Sequence, residues 1–109
     1  MNIAMSIGHG KNERGGYDSG ACGGGFQEFK IGREIGKYAA AALREYGCNV
    51  TLINYDADKS LYSRIKTINA GKYDLAMEIH LNAAHGMGSE VYYKVAVSYT
   101  HLRAHETKA

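Results

Sequence analysis

Short apolar runs at residues 3–7, 50–53 and 75–79 punctuate the chain, and each reads as a buried strand. Between the first two, Ile31, Ile35, Ala39, Ala42/Leu43 and Tyr46 recur at helical spacing, predicting a helix over residues 27–46. Gly47 is placed to end it as the residue after the cap. A second helix is predicted over residues 61–70 from Leu61, Ile65 and Ile68, with Asp58 or Ser60 able to cap it and Gly71 closing it. Glu90-Val91-Tyr92-Tyr93 reads as a fourth strand. Residues 8–25 contain eight glycines and read as one extended loop, a length that signals function or disorder in a compact domain. The order β-loop-α-β-α-β-β predicts an α/β fold. Its expected form is a three-layer sandwich, a central largely parallel sheet flanked by helices and incomplete at the C-terminus.

The candidate chemistry sits where these runs end. His9 follows the first strand in Ile7-Gly8-His9-Gly10, and His80 ends the third in Ile79-His80-Leu81-Asn82-Ala83. In open α/β sheets ligands gather at the carboxyl ends of strands, so parallel strands would bring both imidazoles to one edge. Glu28 opens the long helix, three residues before Ile31 and seven before Ile35, which puts it on their face. A carboxylate on a buried face needs a partner charge, and a metal supplies one. Two imidazoles and a carboxylate form a catalytic zinc set that keeps one position open for water. Taken singly, each residue also has an ordinary reading: loop histidine, helix-dipole glutamate, strand-end histidine.

Composition narrows this picture little. The 109 residues make one domain with a modest core, and the net charge of +2 gives no argument for nucleic acid or an anionic membrane. Tyrosine is abundant, with nine copies, and suits core and rim packing more than a special surface. Cys22 and Cys48 are too few for a disulfide framework and are expected unpaired. The first residues lack the basic segment of a signal peptide, and no apolar stretch is long enough to cross a bilayer.

Other residues compete for attention. Glu78 shares a strand face with His80 and is read as a carboxylate orienting that histidine rather than as a ligand. His85 lies in a glycine-rich turn and is expected to be solvated. His101 and His105 have zincin-like spacing, but Leu102 occupies the position where that pattern requires Glu. Gly20-Ala21-Cys22-Gly23-Gly24-Gly25 lacks the ending of a P-loop and the Rossmann spacing, so it is read as a substrate-side loop with an incidental cysteine. Residues 97–109 have no apolar period and look like a translated sequencing adapter. Domain organisation is therefore expected as residues 1–96 of a catalytic domain followed by a non-native tail, 97–109.

These pieces, in order, resemble the zinc-dependent N-acetylmuramoyl-L-alanine amidases of the Amidase_3 family. The resemblance covers residues 3–93. It runs through Gly8-His9-Gly10, Asp18-Ser19-Gly20-Ala21, Glu28, Gly47-Cys48-Asn49-Val50, Leu61 with Arg64 and Asn69, Ile79-His80-Leu81-Asn82-Ala83 and Gly88-Ser89-Glu90-Val91-Tyr92-Tyr93. It implies that His9, Glu28 and His80 ligate Zn2+. It also implies hydrolysis of the amide joining N-acetylmuramic acid to L-alanine in peptidoglycan, with peptidoglycan as partner; the chain is expected to be a monomer. The family's general-base glutamate lies on a late strand, and neither Glu90 nor Glu106 matches it. That residue is expected beyond the end of this chain, which would leave the fragment with little or no activity. Asn54 and Glu78 stand where the family more often has Arg and Ser, and neither is expected to touch the ligand set. Without a signal peptide, the expectation is a protein made in the cytoplasm that reaches the cell wall after release, as a phage lysin or lytic enzyme. Two alternatives stay open: a non-catalytic peptidoglycan-binding module of the same fold, and a zinc carboxypeptidase acting on stem peptides.

Overall fold

A computed structural model describes residues 1–81 and 91 and the strands Tyr92–Ala96 and Ala104–Lys108. Expectations for Asn82, Ala83, His85, Gly88, Ser89, Glu90 and His101 fall outside the described residues, as do those for the side chains of His105 and Glu106. In chain order the elements are β1 (Asn2–Ile7), β2 (Gly10–Lys11), β3 (Tyr17–Asp18), β4 (Cys22–Gly23), β5 (Phe26–Gln27) and α1 (Glu28–Glu45). Then follow β6 (Asn49–Ile53), α2 (Leu61–Ala70), β7 (Leu75–Ile79), β8 (Tyr92–Ala96) and β9 (Ala104–Lys108). The predicted loop 8–25 contains two-residue antiparallel ladders, β2 with β3, and β4 with β5 just beyond its end. β8 pairs antiparallel with β9.

The central sheet has the order β6-β1-β7, and both pairings are parallel. β1 is the middle strand, and Ile3 through Ile7 are all buried. From β1 the chain crosses one way to β6, and from β6 it crosses back over β1 to β7. Right-handed crossovers in opposite directions put their helices on opposite faces. Ile3, Met5, Val50 and Ala40 form the core on the α1 side, joined by Leu43, Leu52 and Ile79. Ser6 and Glu78 point the other way, the Ser6 hydroxyl donating to Glu78, which also accepts from Arg64 of α2. The described part is thus an α/β arrangement of three layers, as expected for an incomplete sandwich.

α1 ends where the sequence places its end. Gly47 adopts φ +87°, its N–H donates to the Arg44 carbonyl and the Cys48 N–H donates to the Leu43 carbonyl. This is the paired closure that a glycine after the cap permits. Ser60 caps α2, its hydroxyl accepting from the Ser63 N–H at 3.4 Å.

The buried face of α1 differs from the predicted one. Phe29, Gly32, Gly36 and Ala40 are buried with Glu28, while Ile35 is 44% exposed and Tyr46 87%. The cause is close approach. A Cβ on Gly36 would lie 2.5 Å from Cδ1 of Ile7, and one on Gly32 would touch Ile7 and Ile79. The helix packs on the sheet through its small residues, and Ile31 and Ile35 turn aside to line an apolar groove with Phe26 and Tyr38. Glu28 does reach the buried side, but along the four-residue row Glu28-Gly32-Gly36-Ala40 rather than with the isoleucines.

Candidate metal centre

β1 and β7 run in parallel register, so the residues that follow them emerge together. Ile7 pairs with Ile79, and the Gly8 N–H donates to the Ile79 carbonyl at 3.0 Å. This sets His9 beside His80, with ring centroids 5.1 Å apart and planes at 87°. Gly8 has to be glycine, because a Cβ there would fall 2.4–2.8 Å from ring atoms of His80. His9 has φ +67°, a left-handed conformation that costs a non-glycine residue about 1–3 kcal/mol. Its carbonyl is held there by Asn54 Nδ2 at 2.6 Å and Arg64 Nη1 at 3.3 Å.

Glu28 arrives from the other side. The glycine-rich loop wraps the start of α1, whose Glu28 and Phe29 N–H groups donate to the carbonyls of Ala21 and Ser19. These bonds satisfy the helix start in place of a side-chain cap. The Glu28 carboxylate accepts from the Ala21 N–H at 3.0 Å and the Leu81 N–H at 2.9 Å. Its side chain is only 5% exposed. Gly20, at φ +69°, lies so close that a Cβ would sit 2.7 Å from the His9 ring and 2.9 Å from Glu28.

The three predicted residues converge. Oε2 of Glu28 lies 3.2 Å from Nε2 of His9 and 3.2 Å from Nδ1 of His80. One ligand atom from each residue lies within 4.8 Å of the others. Each imidazole also has an outer carboxylate: Asp18 Oδ2 is 2.8 Å from Nδ1 of His9, and Glu78 Oε2 is 3.0 Å from Nε2 of His80. An ionised carboxylate only accepts, so each outer nitrogen carries the hydrogen. In neutral rings the inner nitrogens then aim lone pairs at a carboxylate oxygen. Three converging acceptors require a cation between them, a proton or a metal. A donor set of two nitrogens and one oxygen, with ring orientation fixed by outer carboxylates, fits a tetrahedral metal with a position to spare.

The titration behaviour has the same origin. Burial pushes the Glu28 carboxyl up, but the Ala21 and Leu81 N–H groups and the charge of His9 outweigh it and leave it lowered. The Gly20 N–H is the main cause of the lowered Asp18 carboxyl. Glu78 is pushed up by burial yet ends lowered to about 2 by His80, Arg64 and Ser6. His80 is raised, chiefly by its hydrogen bond to Glu78. For the metal-free chain the lowered carboxylates give stability above the ordinary carboxyl range that is lost as pH falls through their folded values. The raised histidine gives stability present below about pH 6.5 and lost as pH rises through its folded value. Thermal melts with a chelator present should therefore weaken as pH rises above about 6.5. Without chelator, metal competes with the proton and the trend should reverse. A melting temperature that rises over this range in chelator would contradict the assignment of the cation site.

Several contributors were not legible as such. Asp18 entered only as part of a family motif, yet it holds His9. Asn54, expected to stand clear of the ligand set, reaches it through the His9 carbonyl, whereas Glu78 stands at the His80 ring where its strand face places an orienting carboxylate. A nearly inaccessible asparagine just after a strand is a signal only once its burial is known, here 2% exposure. Cys22 and Cys48 are free, and neither belongs to the group of three ligand candidates. A cleft of about 390 Å³ opens onto His9, His80, Asp18 and Glu78, with Lys11 and Glu13 on its rim. No described helix is long and apolar enough to cross a membrane.

Comparison with known proteins identifies a family. Residues 3–108 match the Amidase_3 family, described as N-acetylmuramoyl-L-alanine amidase. The chain is 34% identical over 83 residues to a Bacillus subtilis (strain 168) protein described as "Uncharacterized protein YqiI". That alignment covers 73% of this chain and 40% of the relative, so the chain spans less than half of that protein's length. No solved structure matches.

Proposed function

Because the chain belongs to the N-acetylmuramoyl-L-alanine amidase family, we propose that it supplies the metal-binding part of a zinc hydrolase. The enzyme would cleave the amide between N-acetylmuramic acid and L-alanine in peptidoglycan. The observation that carries this reading is the convergence of His9 Nε2, Glu28 Oε2 and His80 Nδ1 on one point. These three residues would hold the zinc. When bound, the metal polarises a carbonyl and brings the pKa of a water towards about 7. Asp18 and Glu78 keep the rings turned inward, and the Ala21 and Leu81 N–H groups keep Glu28 in place.

Hydrolysis also needs a base to take the proton from water and pass it to the leaving amine. Neither glutamate beside the histidines is free for that. Glu28 is engaged by two backbone N–H groups, and Glu78 by Arg64, Ser6 and His80. The reading gives the role to a glutamate on a later strand outside this sequence, and assigns no role to residues 97–109. It also takes the chain as a monomer that works on the wall after release from the cell in which it is made.

Product analysis on purified peptidoglycan tests this. The 109-residue chain should bind zinc and wall material and release little stem peptide. A chimera continuing residues 1–93 with the downstream part of the Bacillus subtilis relative should generate new L-alanine amino termini that a chelator abolishes. Cleavage inside the stem peptide instead would point to a carboxypeptidase. Wall binding by the chimera with no products would point to a binding module.

A further inference from the structure

We propose that Glu78 is a positioning residue that fixes His80 as its Nε2–H tautomer, so that Nδ1 is the nitrogen offered to the metal. The proposal rests on the zinc reading above and adds which atom of His80 binds and what selects it.

The carboxylate of Glu78 is divided between two tasks. Oε1 accepts from Arg64 Nε at 2.5 Å and from the Ser6 hydroxyl at 3.0 Å. Oε2 faces Nε2 of His80 at 3.0 Å. Arg64 is 4% exposed and Ser6 fully buried, so the Oε1 side is anchored in the fold. Oε2 can then only accept, and it is nearer its nitrogen than Glu28 Oε2, which already accepts from the Leu81 N–H, is to Nδ1, so the balance favours the hydrogen on Nε2 and the lone pair on Nδ1. Nδ1 in turn lies 3.2 Å from Glu28 Oε2. On one side the ring lies against the backbone of Gly8. His9 is held the opposite way: Asp18 takes its Nδ1 hydrogen, and Nε2 faces Glu28. The two ligand histidines would therefore bind one metal through different nitrogens.

This predicts an inverted order of severity among variants. Glu78→Gln nearly preserves volume, so a merely structural role would make it milder than Glu78→Ser. Under the proposal Gln is the worse change. Arg64 and Ser6 are donors and demand the single amide oxygen, which turns the amide NH2 towards His80. That group donates, so Nε2 must accept and the hydrogen moves to Nδ1, the metal-facing atom. Glu78→Ser leaves the tautomer unconstrained without inverting it.

Long-range 15N–1H correlation spectra of the 109-residue chain, metal-free and above the histidine titration range, read the tautomer directly. Zinc titration then gives affinity. Wild type should show Nε2–H at His80 and Nδ1–H at His9. Glu78→Gln should show Nδ1–H at His80 and bind zinc about 10–100-fold more weakly, the usual size of an outer-shell effect on a ligand. Glu78→Ser should fall between. Nδ1–H at His80 in wild type would overturn the proposal without any variant, as would Glu78→Gln matching wild type in tautomer and affinity. If wild type binds no zinc, or zinc that His9→Ala and His80→Ala leave untouched, the site reading itself fails and the metal role proposed for Nδ1 goes with it.

Discussion

Glu28→Gln should strip the chain of zinc and loosen the loop ahead of α1 in one step. Both carboxylate oxygens accept from backbone, Oε1 from Ala21 and Oε2 from Leu81, and Oε2 also faces both histidines. An amide supplies only one acceptor. Whichever way it turns, its NH2 meets a backbone N–H, leaving a donor unsatisfied against a side chain only 5% exposed, at about 1–3 kcal/mol. The anionic ligand is lost as well. Changes one shell further out weaken metal sites by about 10–100-fold, so loss of a ligand should exceed that. Equilibrium dialysis with zinc quantification, alongside a urea melt in chelator, measures both effects. Zinc retained by Glu28→Gln at wild-type affinity would remove Glu28 from the ligand set. Unchanged stability in chelator would show that the loop is held by something else.

The prediction uses a placement that the sequence supports for a partly mistaken reason. Strand ends and glycines locate His9 and His80 correctly, because apolar runs that finish in Gly-His and Ile-His leave little choice of edge once the strands are parallel. Gly47 and Ser60 mark helix ends for reasons of local geometry that need no tertiary information. The face of α1 is different. Side-chain periodicity gives weight to Ile31 and Ile35 and none to glycine, whereas the helix docks through Gly32 and Gly36, where the absent side chains let it approach β1. Burial by absence of atoms is invisible to a hydrophobic pattern. The roles of Asp18 and Arg64 are hidden for a related reason. Asp18 lies nine residues from His9, and Arg64 fourteen from Glu78, along the chain. Only the fold makes them neighbours.

Arg64→Met should separate α2 from the sheet and disturb the metal site with it. Leu61, Tyr62 and Ile65 of α2 are each about half exposed or more, and Arg64 is the helix's one buried residue. Its guanidinium binds Glu78, the His9 carbonyl and the Lys59 carbonyl, so one side chain joins α2 to both histidine-bearing segments. Methionine retains most of the stem but leaves Glu78, 26% exposed, without its cation. Breaking a buried pair on one side costs about 3–5 kcal/mol, and partial exposure of Glu78 puts this case near the lower figure. Removing both partners leaves no orphaned charge. The double variant Arg64→Met/Glu78→Met should therefore be more stable than Arg64→Met alone, although it carries one more substitution. Zinc affinity should not recover with it, because His80 would still lack the carboxylate that orients its ring. Urea melts and zinc titrations of the two single variants and the double separate these effects. Additive losses of stability would mean that Arg64 and Glu78 contribute independently, and full recovery of zinc binding in the double variant would mean that His80 is held by Gly8 and Glu28 alone.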